Sequence, residues 1–245
     1  MTIRTAIRIS LIAPLAAGCA FSVEQEHIRT HSFDASDVET IVVTGDTISV
    51  EFTSTDTTEI EVEQYQNMAR TRPDVSLEVR NGTLYIDSEC HTFSGQCGSL
   101  FEIAAPPALN LDISGGSGTV DVYGLDGDLT VSNGSGAIDV SDITGDVQLD
   151  CGSGSVDARG LRGAEVFVET GSGGITVRHL GDLERVKLDA GSGHVELTVP
   201  TGAYKVEVDT GSGKIEVDDN IIDDPSATAR IDVNTGSGGV DIFGR

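Results

Sequence analysis

The chain is expected to be all-β: a parallel β-solenoid (β-helix-like) of about 18–20-residue coils behind a less regular N-terminal β segment. Right-handed coiling is the default for parallel crossovers. Three observations carry this expectation. Gly-Ser-Gly occurs seven times, beginning at Gly116, Gly134, Gly152, Gly171, Gly191, Gly211 and Gly236, at intervals of 18, 18, 19, 20, 20 and 25 residues. Four positions around each triplet are apolar in every copy. Those positions come in pairs two residues apart, the period of a strand.

Aligned on the first glycine, the first pair reads Leu111/Ile113, Leu129/Val131, Val147/Leu149, Val166/Val168, Val186/Leu188, Val206/Val208 and Ile231/Val233. The second reads Val120/Val122, Ile138/Val140, Val156/Ala158, Ile175/Val177, Val195/Leu197, Ile215/Val217 and Val240/Ile242. Each unit is therefore strand, Gly-Ser-Gly turn, strand and second corner. Leu125, Ile143, Leu161 and Leu180 mark that corner, each followed by glycine within two residues. An antiparallel meander would make the triplet a hairpin loop. Identical columns favour the solenoid, where each level stacks on its own kind.

Before the repeats, residues 36–105 are expected to form degenerate coils and a cap. Val38–Val43, Thr47–Phe52, Glu59–Val62 and Val75–Val79 alternate as strands, and Thr83–Ile86 follows an Asn81-Gly82 turn. Pro106-Pro107 opens the regular part, residues 106–245.

The first residues read as a lipoprotein signal peptide, residues 1–18. Arg4 and Arg8 precede a short apolar run that ends in Leu15-Ala16-Ala17-Gly18-Cys19. This resembles a lipobox, with Ala16 where leucine is usual, and the resemblance implies a lipid on Cys19 and a lipidated tether over residues 19–35. The alternative is an ordinary signal peptide with a chance cysteine. Of the other cysteines, Cys90 and Cys97 bracket a polar loop and are expected to pair in an exported protein. Cys151 falls in a column with Gly115, Asn133, Thr170, Ala190, Thr210 and Thr235, which makes it a packed small side chain rather than a nucleophile.

The chain has 40 acidic and 15 basic residues, a net charge of −25. Nucleic acid is excluded as a partner, because a polyanion would be repelled. Outward positions concentrate the acid. One column holds Asp121, Asp139, Asp157, Thr176, Glu196, Glu216 and Asp241, and another holds Ser114, Ser132, Asp150, Glu169, Asp189, Asp209 and Asn234. Neighbours about 4.8 Å apart repel by about 0.9 kcal/mol per pair in water. High salt, divalent cations or a cationic partner would relieve this. The calcium β-roll pattern fails at Gly115–Asp121, where the aspartate is one residue late. The local calcium candidates are Asp218, Asp219, Asp223 and Asp224, in the insertion that lengthens the last interval. No Gly-x-Ser-x-Gly elbow, phosphate loop or zinc set appears, so no catalytic residue is assigned. A carbohydrate-active β-helix enzyme is a distant alternative, poorly supplied with stacking groups: there is no Trp.

Taken together, a lipobox, a degenerate β segment, a proline junction and tandem Gly-Ser-Gly-x-Val-x-Val units resemble the bacterial and archaeal DUF4097-like adhesin-type lipoproteins, over about residues 36–245. The resemblance implies a β-solenoid at the cell envelope, with adhesion or envelope-stress roles proposed for such proteins and no catalytic residues to carry over. The expected function is an envelope-anchored, non-catalytic structural or interaction module with an acidic outer face. The alternative is a calcium-dependent binding protein. The chain stops at Arg245, directly after Val240-Asp241-Ile242, which predicts an uncapped last coil and self-association through that C-terminal edge.

Overall fold

The computed structural model describes residues 27–66, 73–91 and 97–245. Two sheets face each other across a single apolar core. The N-terminal strands are β1 (His27–Asp34), β2 (Thr40–Ser54), β3 (Glu59–Gln66), β4 (Asp74–Arg80), β5 (Thr83–Glu89) and β6 (Ser99–Ala105). The regular coils follow as strand pairs. Coil 1 is β7 (Asn110–Ser117) with β8 (Val120–Leu125), coil 2 is β9 (Leu129–Ser135) with β10 (Ile138–Ile143), and coil 3 is β11 (Val147–Ser153) with β12 (Val156–Leu161). Coil 4 is β13 (Glu165–Ser172) with β14 (Ile175–His179), and coil 5 is β15 (Arg185–Ser192) with β16 (Val195–Val199). Coil 6 is β17 (Gly202–Thr210) with β18 (Ile215–Val217), followed by the short β19 (Ile221–Asp223). Coil 7 is β20 (Arg230–Ser237) with β21 (Val240–Gly244).

Every regular coil places its first strand in one sheet and its second in the other, and each strand pairs in parallel with its equivalent one level away. The solenoid reading therefore holds, and the meander does not. Stacking explains the triplet. A Cβ on Gly152 would lie 2.6 Å from the Gly134 carbonyl oxygen, and Gly154, at φ +152°, would put one 1.9 Å from that of Gly136. The polypeptide levels approach too closely at the corner for any side chain.

The expected core columns are buried at every level except coil 6, where Val206 and Val208 are half-buried and Ile215 and Val217 are about two-fifths exposed. The cause is the order of the stack. Coil 7 lies between coil 5 and coil 6: β20 pairs with β15 on one side and β17 on the other, and β21 lies between β16 and β18. The expectation that the last coil is uncapped is thus corrected. The open end of the stack is coil 6, and the final strand is paired on both edges. The long last interval is the crossover this insertion requires. Its β19 runs beside the start of β17, with Ile221 buried.

The N-terminal end has a related arrangement. β2 bends across both sheets, lying between β5 and β7 in one and between β6 and β8 in the other. Antiparallel strands then close that end: β4 on β5 through the Asn81-Gly82 turn, and β3 on β6 with β1 outermost. The expected tether is shorter than 19–35, because residues 27–34 form β1 and Phe33 is buried. The signal peptide and Cys19 lie outside the described residues. Cys90 and Cys97 form a disulfide with Cα atoms 5.9 Å apart.

One corner also departs from expectation. Gly124, Asp142 and Gly160 adopt positive φ just before the buried corner residue of coils 1–3. Coil 4 lacks that extra residue, so the register shifts and His179, not Leu180, lies opposite Leu161.

Candidate binding face

Strand alternation turns one column of each coil outward, and the register fixes how the columns continue. On the sheet that ends in β1, one row runs Glu63, Glu102, Glu51, Asp121, Asp139, Asp157, Thr176, Glu196, Asp241, Glu216. Ten strands thus carry nine carboxylates and one threonine in line. The column seen in the repeats extends three strands into the N-terminal segment, through residues that alternation alone could not align.

The electrostatics follow from this spacing. The Asp121 carboxyl is pushed up by burial and by its neighbours Asp139 and Glu51. Asp157 is also pushed up, chiefly by burial, against the opposing pull of its ion partner Arg159. At the N-terminal end, Tyr65 donates its hydroxyl to Glu63 (2.9 Å) and reaches Glu102 at 3.3 Å. Those carboxylates raise the phenol well above its usual range. A hollow there is lined by Glu51, Thr53, Glu61, Glu63, Glu102, Ile103 and Ala104, with no basic side chain.

The opposite sheet carries the second outward row: Asp87, Thr44, Ser114, Ser132, Asp150, Glu169, Asp189, Asn234, Asp209. This row is more mixed and partly satisfied. Thr44 donates to Asp87 (2.6 Å), Asn234 to Asp189 (2.9 Å), and Lys187 pairs with Asp189 at 2.5 Å. Near its C-terminal end, Arg230 bonds Asp232 (2.6 Å) and Glu207 (2.9 Å), and Arg185 approaches Asp232 at 3.5 Å. That network spans coils 5, 7 and 6.

The calcium candidates do not converge on one point. Asp218 accepts from the Asn220 amide, Asp223 from the Val206 amide, and Asp224 from both the amide and hydroxyl of Ser226. Among the described residues, no group of three or more His, Cys, Asp or Glu side chains is disposed to hold a metal ion.

The small-residue column before each triplet has a role that sequence reasoning missed. Asn133, Cys151, Thr170, Thr235 and Thr210 each donate to the carbonyl of the triplet's second glycine one level away, at 2.8, 3.3, 3.3, 3.2 and 3.0 Å. These are short side chains with a donor, and donor capacity was the signal available in the sequence. Cys151 is buried and its thiol is pushed up by burial, consistent with a structural place.

Comparison with known proteins adds the following. A "putative cell adhesion protein" from Clostridium sporogenes is 13% identical, with 91% of this chain and 100% of that one covered and a TM-score of 0.43. A "putative adhesin" from Bacteroides fragilis is 14% identical (88% and 97% covered, TM-score 0.44). A "putative lipid binding protein" from Parabacteroides distasonis is also 14% identical (88% and 96% covered, TM-score 0.39). No curated protein matches the chain in sequence. Residues 38–244 match the family described as Toastrack DUF4097. With that match spanning the β2 bend, all seven coils and the inserted last one, the chain belongs to the Toastrack DUF4097 family.

Proposed function

We propose that the protein is an extracytoplasmic, lipid-anchored, non-catalytic interaction module of the adhesin type, whose acidic face meets a cationic partner. The observation that carries this reading is the row of nine carboxylates in register on one outward sheet face. Arg159, His194 and Lys214 pair with Asp157, Asp241 and Glu216, and the other six carboxylates have no ion partner among the described residues, which leaves a strong local field that attracts a positively charged surface and speeds encounter with it. The hollow at its end holds carboxylates without a basic partner, an arrangement suited to binding cations rather than to cleaving acidic sugars.

The anchor is the lipid on Cys19. Seven residues separate Cys19 from β1, and the eight steps between their Cα atoms reach at most about 28 Å. The β1 end of the stack then faces the membrane, and coil 6 points away from it. Among the described residues, no helix is long and apolar enough to cross a membrane.

The test is binding of a lysine-rich peptide followed by fluorescence anisotropy. The native chain should bind, and Asp121→Asn/Asp139→Asn/Asp157→Asn should weaken binding by about tenfold at low salt. Equal affinity of the two chains would sink the cationic-partner reading. Calcium-dependent binding is the second reading, favoured by the in-register stacking of Glu51, Asp121, Asp139 and Asp157, whose mutual repulsion a bridging divalent cation would relieve. A melting point in chelator-treated protein that calcium leaves unmoved would remove it.

A further inference from the structure

We propose that the open edge of coil 6 is a contact surface for a second copy of this chain, joined tip to tip and antiparallel. Every other coil is covered on both sides. Coil 6 is not: Ile215 is 41% and Val217 40% exposed. Their equivalents in coils 1–5 and 7 are sealed by the neighbouring level.

The backbone is equally unfinished there. In the inner coils, the triplet's second glycine donates its amide to the serine carbonyl of the next level: Gly118 to Ser135, Gly154 to Ser172, Gly193 to Ser237, Gly238 to Ser212. Gly213 is the next in this series and has no further level to meet among the described residues. The Lys214 carbonyl and the Asp218 amide face β21, so alternation turns the backbone groups of Ile215 and Val217 to the open side. Part of the edge is protected, since β19 covers the start of β17 and Asp223 accepts from the Val206 amide at 3.2 Å. The open part runs from Val208 through the triplet to Val217.

A second copy is the occupant these features select. The cover that fits an open Gly-Ser-Gly coil, at every other level of this stack, is another such coil. The opposite end of a second molecule is closed by antiparallel strands without the triplet corner, so the complementary surface is coil 6 itself. Two identical edges meet about a two-fold axis, which makes their strands antiparallel. Charge agrees with that direction. The chain has three lysines, and two of them lie early in coil 6, Lys205 in the first half of β17 and Lys214 just before β18, where it pairs with Glu216 of its own strand, whereas Asp209, Glu216 and Asp218 lie later. Antiparallel pairing sets each lysine against the partner's carboxylates, and parallel pairing sets like against like.

With the anchor proposed above, tip-to-tip pairing would join chains on two facing membranes. That consequence rests on the Cys19 reading, but the contact does not, and the test separates them. The full chain with Cys19→Ser is sized by sedimentation across protein concentration, in salt high enough to screen its net charge. A reversible dimer is expected. Val217→Lys should weaken it by about tenfold or more with an unchanged circular dichroism spectrum. Lys214→Glu should weaken it likewise, and mixing the Lys214→Glu and Glu216→Lys chains should restore a heterodimer. A strict monomer at all concentrations overturns the proposal. So does a dimer indifferent to both Val217→Lys and Lys214→Glu, or growth into open-ended oligomers.

Discussion

His179 is fully buried in a corner column otherwise held by aliphatic side chains, with its Nε2 2.8 Å from the Gly163 carbonyl oxygen and its Nδ1 sealed off without a partner. The neutral ring fits as a donor through Nε2. Protonation would place a charge and a second, unpaired N–H in the core. Burial pushes its pKa below the ordinary 6.5, with Arg245 and Arg162 adding to this and the Gly163 carbonyl and Asp182 opposing. Because the unfolded chain takes up the proton first, stability falls as pH drops below about 6.5 toward the folded-state value. His179→Leu, the residue of the level before, should therefore lose part of the fall in melting temperature between about pH 7.5 and about pH 5. An identical fall in both chains would count against this account. His31, whose pKa is also lowered by burial, should retain its share.

At the scale of the strand row, the cost of aligned carboxylates is directly measurable. Asp139 sits between Asp121 and Asp157, so Asp139→Asn removes two like-charge contacts at once. The variant should be more stable than the native chain by up to about 2 kcal/mol at low ionic strength and equal to it in molar salt, where charges at this separation are screened. A salt-independent difference in melting midpoint would show that hydrogen bonding, not repulsion, governs the row. This row was legible in the repeats because each level copies the last: the +5 position of every triplet faces outward, and the structure keeps that register through coil 7. Glu51, Glu102 and Glu63 were not legible as its continuation. β2 carries no triplet, and β3 and β6 pair antiparallel, so their alignment depends on tertiary pairing rather than on period. The same limit hid His179. A one-residue deletion before the corner swaps which neighbour points inward, and spacing from the triplet alone cannot report it.

Across the molecule, the order of the coils is the feature the sequence concealed. Coils 6 and 7 carry interchangeable patterns, and either could occupy the slot beside coil 5. Placing coil 7 inside seals two isoleucines and two valines instead of one and three, a gain of about one methylene group, or 0.8 kcal/mol. It also assembles the Arg185–Asp232–Arg230–Glu207 network and leaves Lys205 and Lys214 in solvent. The clue present in the chain was the 25-residue interval, longer than a neighbouring level needs. Cysteine pairs distinguish the two orders. Asp189→Cys/Asn234→Cys should form a disulfide, since these residues are partners in register, and Asp189→Cys/Asp209→Cys should not, because a strand lies between them. The reverse result would restore the sequential stack.

The insertion at both ends also bears on how the molecule comes apart and comes together. A solenoid whose first and last turns were outermost could peel open from either terminus, one level at a time. Here the first full turn, β2, and the last, β20 with β21, are each held between two others, so loosening starts at strands with one free edge: β1, β4, or β17 and β18. The same layout delays completion: a chain leaving the ribosome cannot lock its C-terminal portion until Arg230–Gly244 has arrived and slid between partners already in place. Until then coil 6 rests on nothing permanent, and the fifteen residues of Arg230–Gly244 act as the bolt that closes the rack.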